Sequence, residues 1–183
     1  MHVTWEDRQG DSDFQDRFSR DYIRAESIGR QHGSVPCVIP LVQGPDEKKN
    51  EWARRTFAGV ALTHELKSVL NDDPYRGCFL KLLQFGYGKP DVRVFNYWQP
   101  ENPVRVDGTD ATTLVVSKPG SAMIVVCDYA NGGSPTLYVD TKALGLKADF
   151  AAKDAETGEA LPVAEGKVTF ALKTHDFRMV VLE

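Results

Sequence analysis

The strongest constraint on the fold of this chain is the series of short, alternating segments that fills it beyond Pro100. Val104–Val106, Thr113–Val116, Ala122–Cys127, Thr136–Val139, Phe150–Ala152, Lys167–Leu172 and Phe177–Leu182 are rich in β-branched and apolar residues, which suit a pleated, half-buried surface. Between them stand turn-forming residues: Lys118-Pro-Gly-Ser121, Asn131-Gly-Gly-Ser-Pro135, Glu156-Thr-Gly158, Glu165-Gly166 and Thr174-His-Asp176. Short runs of this kind, roughly ten residues apart, predict an all-β antiparallel sandwich. A period of two then selects its inward set: Val115, Ile124, Val126, Leu137, Val139, Phe170, Leu172, Val180 and Leu182.

The preceding hundred residues follow another pattern. Residues 1–17 are polar, show no convincing period and read as a loop. Phe18, Tyr22, Ala25 and Ile28 recur at helical spacing; Asp21 stands in the first turn, Arg30 and His32 in the last, and Gly33 is the stop. Val35–Val42 is almost wholly apolar, as in a parallel strand buried on both faces, although its two prolines are awkward there. Asp46 then caps a helix with Glu47 in its first turn and Trp52, Thr56 and Val60 on one face. Helix, strand and helix in this order belong to an α/β region. Ala58–Leu66 reads two ways: Gly59 and the apolar run favour a second strand, whereas Ala, Leu and Glu favour more helix. Asn71-Asp-Asp-Pro74 predicts a turn that accounts for Asp72 and Asp73, and Cys78–Phe85 a helix. The expected division is an α/β part at 1–100 and a sandwich at 101–183.

Composition narrows the partners. The formal net charge is −4, so nothing points to a nucleic acid or an anionic membrane. Residues 1–100 carry 14 basic and 14 acidic side chains and residues 101–183 carry 8 and 12, a shift that supports two regions with different surfaces. Cys37, Cys78 and Cys127 are widely spaced in apolar runs, which favours buried thiols over a disulfide frame or a metal knuckle. No apolar stretch approaches a membrane span, and the first residues lack the apolar core of a signal peptide.

Val92–Pro100 joins the two patterns. In an extended segment Val92, Val94 and Asn96 face one way, and Arg93, Phe95 and Tyr97 the other. By the same period Trp98 shares a side with Asn96, so an indole that stacks on a sugar ring would stand beside an amide that orients it. The alternative is that Phe95, Tyr97 and Trp98 pack between the two regions.

Ser117-Lys-Pro-Gly-Ser-Ala-Met-Ile-Val-Val-Cys-Asp-Tyr-Ala130, Tyr138-Val-Asp140, Asp154-Ala-Glu-Thr-Gly-Glu159 and His175-Asp-Phe-Arg-Met-Val180 resemble the β-sandwich that follows a (β/α)8 barrel in glycoside hydrolases. Ala58–Lys67, with Phe95-Asn-Tyr-Trp98, resembles the end of such a barrel in a group near the GH123 β-N-acetylgalactosaminidases. The resemblance covers most of residues 20–183 and rests on strands and turns, not on a catalytic signature. It implies the C-terminal part of a carbohydrate-active protein, since such barrels need about 250 residues of their own. It also implies a carbohydrate ligand, no cofactor, an open barrel edge through which chains can associate, and no activity in this part alone.

Glycoside hydrolysis usually needs two carboxyl groups about the scissile bond, although some families let the substrate's acetamido group act as nucleophile; barrel enzymes carry the acids at the C-terminal ends of strands. Glu65 has a claim to that position only if residues 59–64 form a strand; His64 beside it and Gln43 after the apolar run could contact sugar hydroxyls. The competing reading has His64 and Glu65 ending a helix, facing water, and Gln43 in an ordinary loop. His64-Glu65-Leu-Lys-Ser68 lacks the second histidine of a zinc protease helix, and no Gly-x-Ser-x-Gly elbow occurs. Gly86-Tyr-Gly88 lacks the third glycine of a dinucleotide loop. Asp128, Asp140, Asp149 and Asp154 lie on different strands and turns, so no metal site is expected from them.

Overall fold

A computed structural model of the chain describes residues 2–7, 13–28, 35, 37–68 and 74–183. It packs as two units, Met1–Gly77 and Cys78–Glu183. The division drawn at residue 100 from composition comes later than this packing, because a strand before Pro100 is hydrogen-bonded into the second unit.

In the first unit, β1 (His2–Asp7), α1 (Phe14–Arg17), α2 (Arg20–Ile28), β2 (Cys37–Val42), α3 (Glu47–Thr63) and β3 (Lys67–Ser68) follow in order. The strands form a parallel sheet in the order β1-β2-β3, from His2 opposite Cys37 to Asp7 opposite Val42. Among the described residues this sheet has three strands and is not plainly a barrel. Residues 1–17 are therefore not simply a loop: Val3 and Trp5 carry a period of two over too few residues to be read, and pairing with β2 makes them a strand. Residues 29–34, with the expected stop at Gly33, and residues 71–73 of the expected turn lie outside the described residues.

The aromatic core of this unit joins all its layers. Trp5 meets Phe14 edge-on at 5.1 Å, Phe14 meets Phe57 at 5.3 Å, and Phe57 lies 5.8 Å from Tyr75. Asp46 caps α3 by accepting from the Lys48 and Lys49 amides. Asn50, itself buried, ties the helix to the loop after β2: it accepts from the Gly44 amide at 2.9 Å and donates to its carbonyl at 2.8 Å. The ambiguous residues 58–63 are helix, and they are buried without a break. A helix buried all round shows no stripe, which is why its period was illegible.

α3 ends in a Schellman turn. The Leu66 amide donates to the Ala61 carbonyl at 2.9 Å and the Glu65 amide to the Leu62 carbonyl, with Glu65 in the left-handed region at φ 54. Glycine is the usual residue there, and a side chain costs about 1–2 kcal/mol.

α4 (Tyr75–Phe85) leads into the second unit. There follow β4 (Arg93–Asn96), β5 (Val104–Asp107), β6 (Ala111–Lys118), β7 (Ser121–Asp128), β8 (Thr136–Val139), α5 (Thr141–Leu144), β9 (Ala152–Asp154), β10 (Ala160–Leu161), β11 (Val163–Ala164), β12 (Lys167–Thr169) and β13 (Phe177–Leu182). They make two antiparallel sheets, β10-β9-β13-β7-β6-β4 and β11-β12-β8-β5. Val115, Ile124, Val126, Val180 and Leu182 from the first sheet share one hydrophobic cluster with Val104, Leu137 and Val168 from the second, joined by Phe150, Phe170 and Leu172. Each residue of the inward set expected from sequence belongs to this cluster or, for Val139, packs against it half-buried. The run expected at Phe150–Ala152 is strand only from Ala152, where it pairs with Leu182.

One buried carboxylate fixes the turns at an end of this unit. Asp128 accepts from the amides of Ala130 (3.2 Å), Gly132 (3.0 Å) and His175 (2.9 Å) and from the Thr109 hydroxyl. Gly132 is required there: its φ is +67 and a Cβ would lie 2.5 Å from the Leu172 carbonyl oxygen.

Candidate functional site

The residues singled out in the sequence do not converge. Gln43, exposed, follows the C-terminal end of β2, whereas His64 and Glu65 precede the N-terminal end of β3. β2 and β3 are parallel, with Cys37 opposite Lys67. Gln43 and Glu65 therefore stand at opposite ends of one sheet, about 20 Å apart at 3.3 Å per residue. The condition for Glu65 as a barrel acid, a strand at 59–64 ending before it, is not met, because those residues are the last turns of α3.

His64 is packed inside the unit and does not face water; it is 1% exposed. Its Nδ1 lies 2.9 Å from the Val60 carbonyl, so Nδ1–H donates and Nε2 is the basic nitrogen. Burial drives its pKa down to about 4, against the pull of the Val60 bond and with help from the charges of Arg20 and Arg24. Tyr75, also buried in the first unit, is raised to about 12 by desolvation, and its hydroxyl donates to the Leu66 carbonyl at 2.8 Å.

Asn96 and Trp98 belong to the second unit, where β4 stops at Asn96. The Gln99 side chain accepts from the Asn96 amide at 2.7 Å, and Asn102 Nδ2 donates to the Asn96 carbonyl at 3.1 Å. Tyr97 and Trp98 are thus turn residues, half-buried and edge-on to one another at 4.9 Å. The alternation that placed Trp98 beside Asn96 ends with the strand. Asn96 itself is buried, so its amide does not present an open polar contact.

Two clefts stand out among the described residues of the second unit, neither noticed in the sequence. The larger, about 530 Å³, is lined by Glu101, Asn102, Arg105, Tyr138 and Asp140 among others. It lies at one end of the outer face of the four-stranded sheet. Arg105 and Lys167 stand opposite Tyr138 from its two neighbouring strands, with Arg105 4.2 Å and Lys167 Nζ 5.5 Å from its ring centroid. The smaller, about 380 Å³, is lined by Asp91, Arg93, Lys118 and Lys142, with Ala143 and Gly145 at its floor. A sequence signal existed for the larger one: Arg105 and Tyr138 occupy outward positions between residues that pack into the core, Val104 and Val106, and Leu137 and Val139.

The aspartates serve the backbone. Asp140 caps α5 by accepting from the Ala143 amide at 2.9 Å. Asp154 accepts from the Glu156 and Thr157 amides and from Arg178 Nε at 2.6 Å. Burial pushes the Asp154 carboxyl up, but the Thr157 amide, Arg178 and the Glu156 amide together hold it below the usual value. Among the described residues no group of three or more His, Cys, Asp or Glu could hold a metal ion, and no helix is long and apolar enough to cross a membrane.

No family model matches the chain, and no curated protein matches it. Among solved structures it is similar to Abp, a GH27 β-L-arabinopyranosidase from Geobacillus stearothermophilus, at 17% identity and a TM-score of 0.44, over 71% of this chain and 29% of that one. A variant of the same enzyme, D197A, in complex with arabinose matches with the same score. The maltogenic α-amylase AmyB from Thermotoga neapolitana matches at 11% identity and a TM-score of 0.40, over 98% of this chain and 40% of that one. The chain thus spans less than half the length of these glycoside hydrolases. Likeness at this level assigns it to no family.

Proposed function

We propose that this chain is the C-terminal part of a carbohydrate-active, glycoside-hydrolase-like protein near the GH123 group. In this reading the first unit corresponds to the last α/β units of a barrel, the second is a β-sandwich that begins with β4, and O-glycosidic hydrolysis belongs to the full-length form. The observation that carries it is the succession of a small parallel sheet and two antiparallel sheets around one core, the order the sequence resemblance implies.

The chain alone is inactive in this reading. Hydrolysis takes two carboxyl groups acting on one bond. Glu65 stands before a strand rather than after one, and Asp140 and Asp154 are committed to backbone amides. A screen of aryl glycosides, N-acetylhexosaminides included, is expected to show no turnover above background. Turnover lost on Glu65→Gln would overturn this point.

A second reading, a non-catalytic carbohydrate-binding module, is favoured by the cleft beside Tyr138. It offers the Asn102 amide, the Tyr138 ring, two carboxylates and one guanidinium, a mixed set of donors and acceptors that suits a polyhydroxyl ligand. Arg105 covers the Tyr138 ring, so polar contacts rather than ring stacking would carry affinity there. Trp98 remains the proposed stacking residue. Titration with neutral oligosaccharides distinguishes the sites: Trp98→Ala weakens binding with stability unchanged if the indole is a platform, and costs several kcal/mol of stability if it is packing. Absence of binding to any glycan would end the carbohydrate reading.

A further inference from the structure

The smaller cleft has a charge that its surroundings do not explain. Arg93 comes from β4, Lys118 from the end of β6 and Lys142 from α5, and among the described residues the sole carboxylate lining the cleft is Asp91. Three cations against one anion meet there on a chain whose net charge is −4. Among the described residues, Arg54, Arg105, Lys153, Lys167 and Arg178 each lie within 4 Å of a carboxylate, but none of the three cleft cations does.

Two of these cations are also held in place. Arg93 Nη2 donates to the Ala143 carbonyl at 2.6 Å, and the guanidinium lies 5.3 Å from the Phe95 ring centroid. Its Nε and Nη1 have no acceptor among the described residues. A guanidinium fixed by one bond, with donors left over, is prepared for two-point contact with an oxyanion. The rotamer entropy that an unrestrained arginine would lose on binding is already lost. Lys118 Nζ is likewise anchored, 3.2 Å from the Phe85 carbonyl and 4.4 Å from that ring's centroid. Among the described residues Lys142 has no ion-pair or hydrogen-bond partner, so it can close over whatever the other two hold.

We propose that this cleft binds an oxyanion carried on a saccharide, the carboxylate of a uronic acid or a sulfate ester, with Arg93 making the two-point contact and Lys142 and Lys118 supplying charge. A volume of about 380 Å³ lies within the usual range of small-ligand clefts and accommodates one such unit. The anion follows from the cleft's own charges; the saccharide rests on the carbohydrate reading above. The cleft meets the Tyr138 cleft only at Ala143, so a bound sugar chain can place an acidic unit here and neutral units there.

The test is an NMR titration of the whole chain with three probes: a galacturonate trimer, its methyl ester and sodium sulfate. The expected result is a shift of the Ala143 and Gly145 amides and of Arg93 Nε–H with the trimer and with sulfate. The methyl ester should bind at least tenfold more weakly, and raising salt from about 0.05 to 0.5 M should weaken the trimer markedly. Lys142→Gln, which removes no ion pair or hydrogen bond among the described residues, should weaken the trimer severalfold. Arg93→Gln and Arg93→Lys should each cost tenfold or more, the lysine because it keeps charge but not the fork. Equal binding of trimer and ester, or an unchanged Lys142→Gln, would overturn the proposal. Shifts with sulfate alone would defeat its saccharide half. Ester binding at the Tyr138 cleft, with Ala143 and Gly145 unmoved by the trimer, would defeat the proposal and leave the carbohydrate reading standing. No glycan binding anywhere would sink both.

Discussion

The two units have interiors of different kinds. The second is mainly aliphatic: two sheets close on valine, leucine and isoleucine around Phe150 and Phe170, and its buried turn carboxylates Asp128 and Asp154 are held chiefly by backbone amides. The first is built on a chain of aromatic contacts, Trp5, Phe14, Phe57 and Tyr75, and buries an imidazole, His64. An aliphatic core responds chiefly to lost volume, whereas a core that contains an imidazole also responds to protons.

The largest effect should come from lost volume. Phe170, 5% exposed within the second unit's cluster, should cost about 3–5 kcal/mol when replaced by alanine. Denaturant unfolding measures this, and a loss below about 1 kcal/mol would mean that the two sheets do not share one close-packed interior.

Protons come next. His64 has a pKa of 6.5 in its reference state and about 4 when folded, so its neutral form is the one the fold favours. At about 1.36 kcal/mol per pH unit, that is about 3 kcal/mol of stability, fully present above pH 6.5 and lost as pH falls toward 4. Asp154, whose carboxyl is held below 3.8, adds stability to the second unit that fades only below that value. Acidification from pH 7 to 4.5 should therefore weaken hydrogen-exchange protection, corrected for intrinsic rate, over residues 47–66 before residues 111–128. His64→Gln should flatten the first response; simultaneous loss in both units would contradict the contrast.

The smallest effect has the opposite sign. Glu65→Gly removes a side chain from a left-handed position and should stabilise the chain by about 1 kcal/mol. A destabilised variant would show that the Glu65 side chain contributes more to the fold than its backbone costs.

These differences also explain what could be read in advance. Strands buried on one face alternate, and Tyr138 between Leu137 and Val139 shows it, so the sheets and their inward residues were legible. α3 could not be resolved because Phe57 to Thr63 is buried on every side, and β1 because only two residues carried its period. The alternation breaks before Trp98 for a local cause: the Gln99 side chain accepts from the Asn96 amide where the strand ends, and side-chain hydrogen bonds of that kind leave no periodic trace. The cation cleft was invisible because Arg93, Lys118 and Lys142 are distant in sequence and meet only through β4–β6 pairing and the bond to Ala143.

β13 occupies the middle of the six-stranded sheet, between β7 and β9, yet is the last strand to be synthesised. Until residues 177–182 leave the ribosome, β4, β6 and β7 have nothing to hold on one side, and Ala122–Cys127 presents an apolar edge ready to pair with another chain. Completion of this sheet is thereby deferred to the arrival of β13.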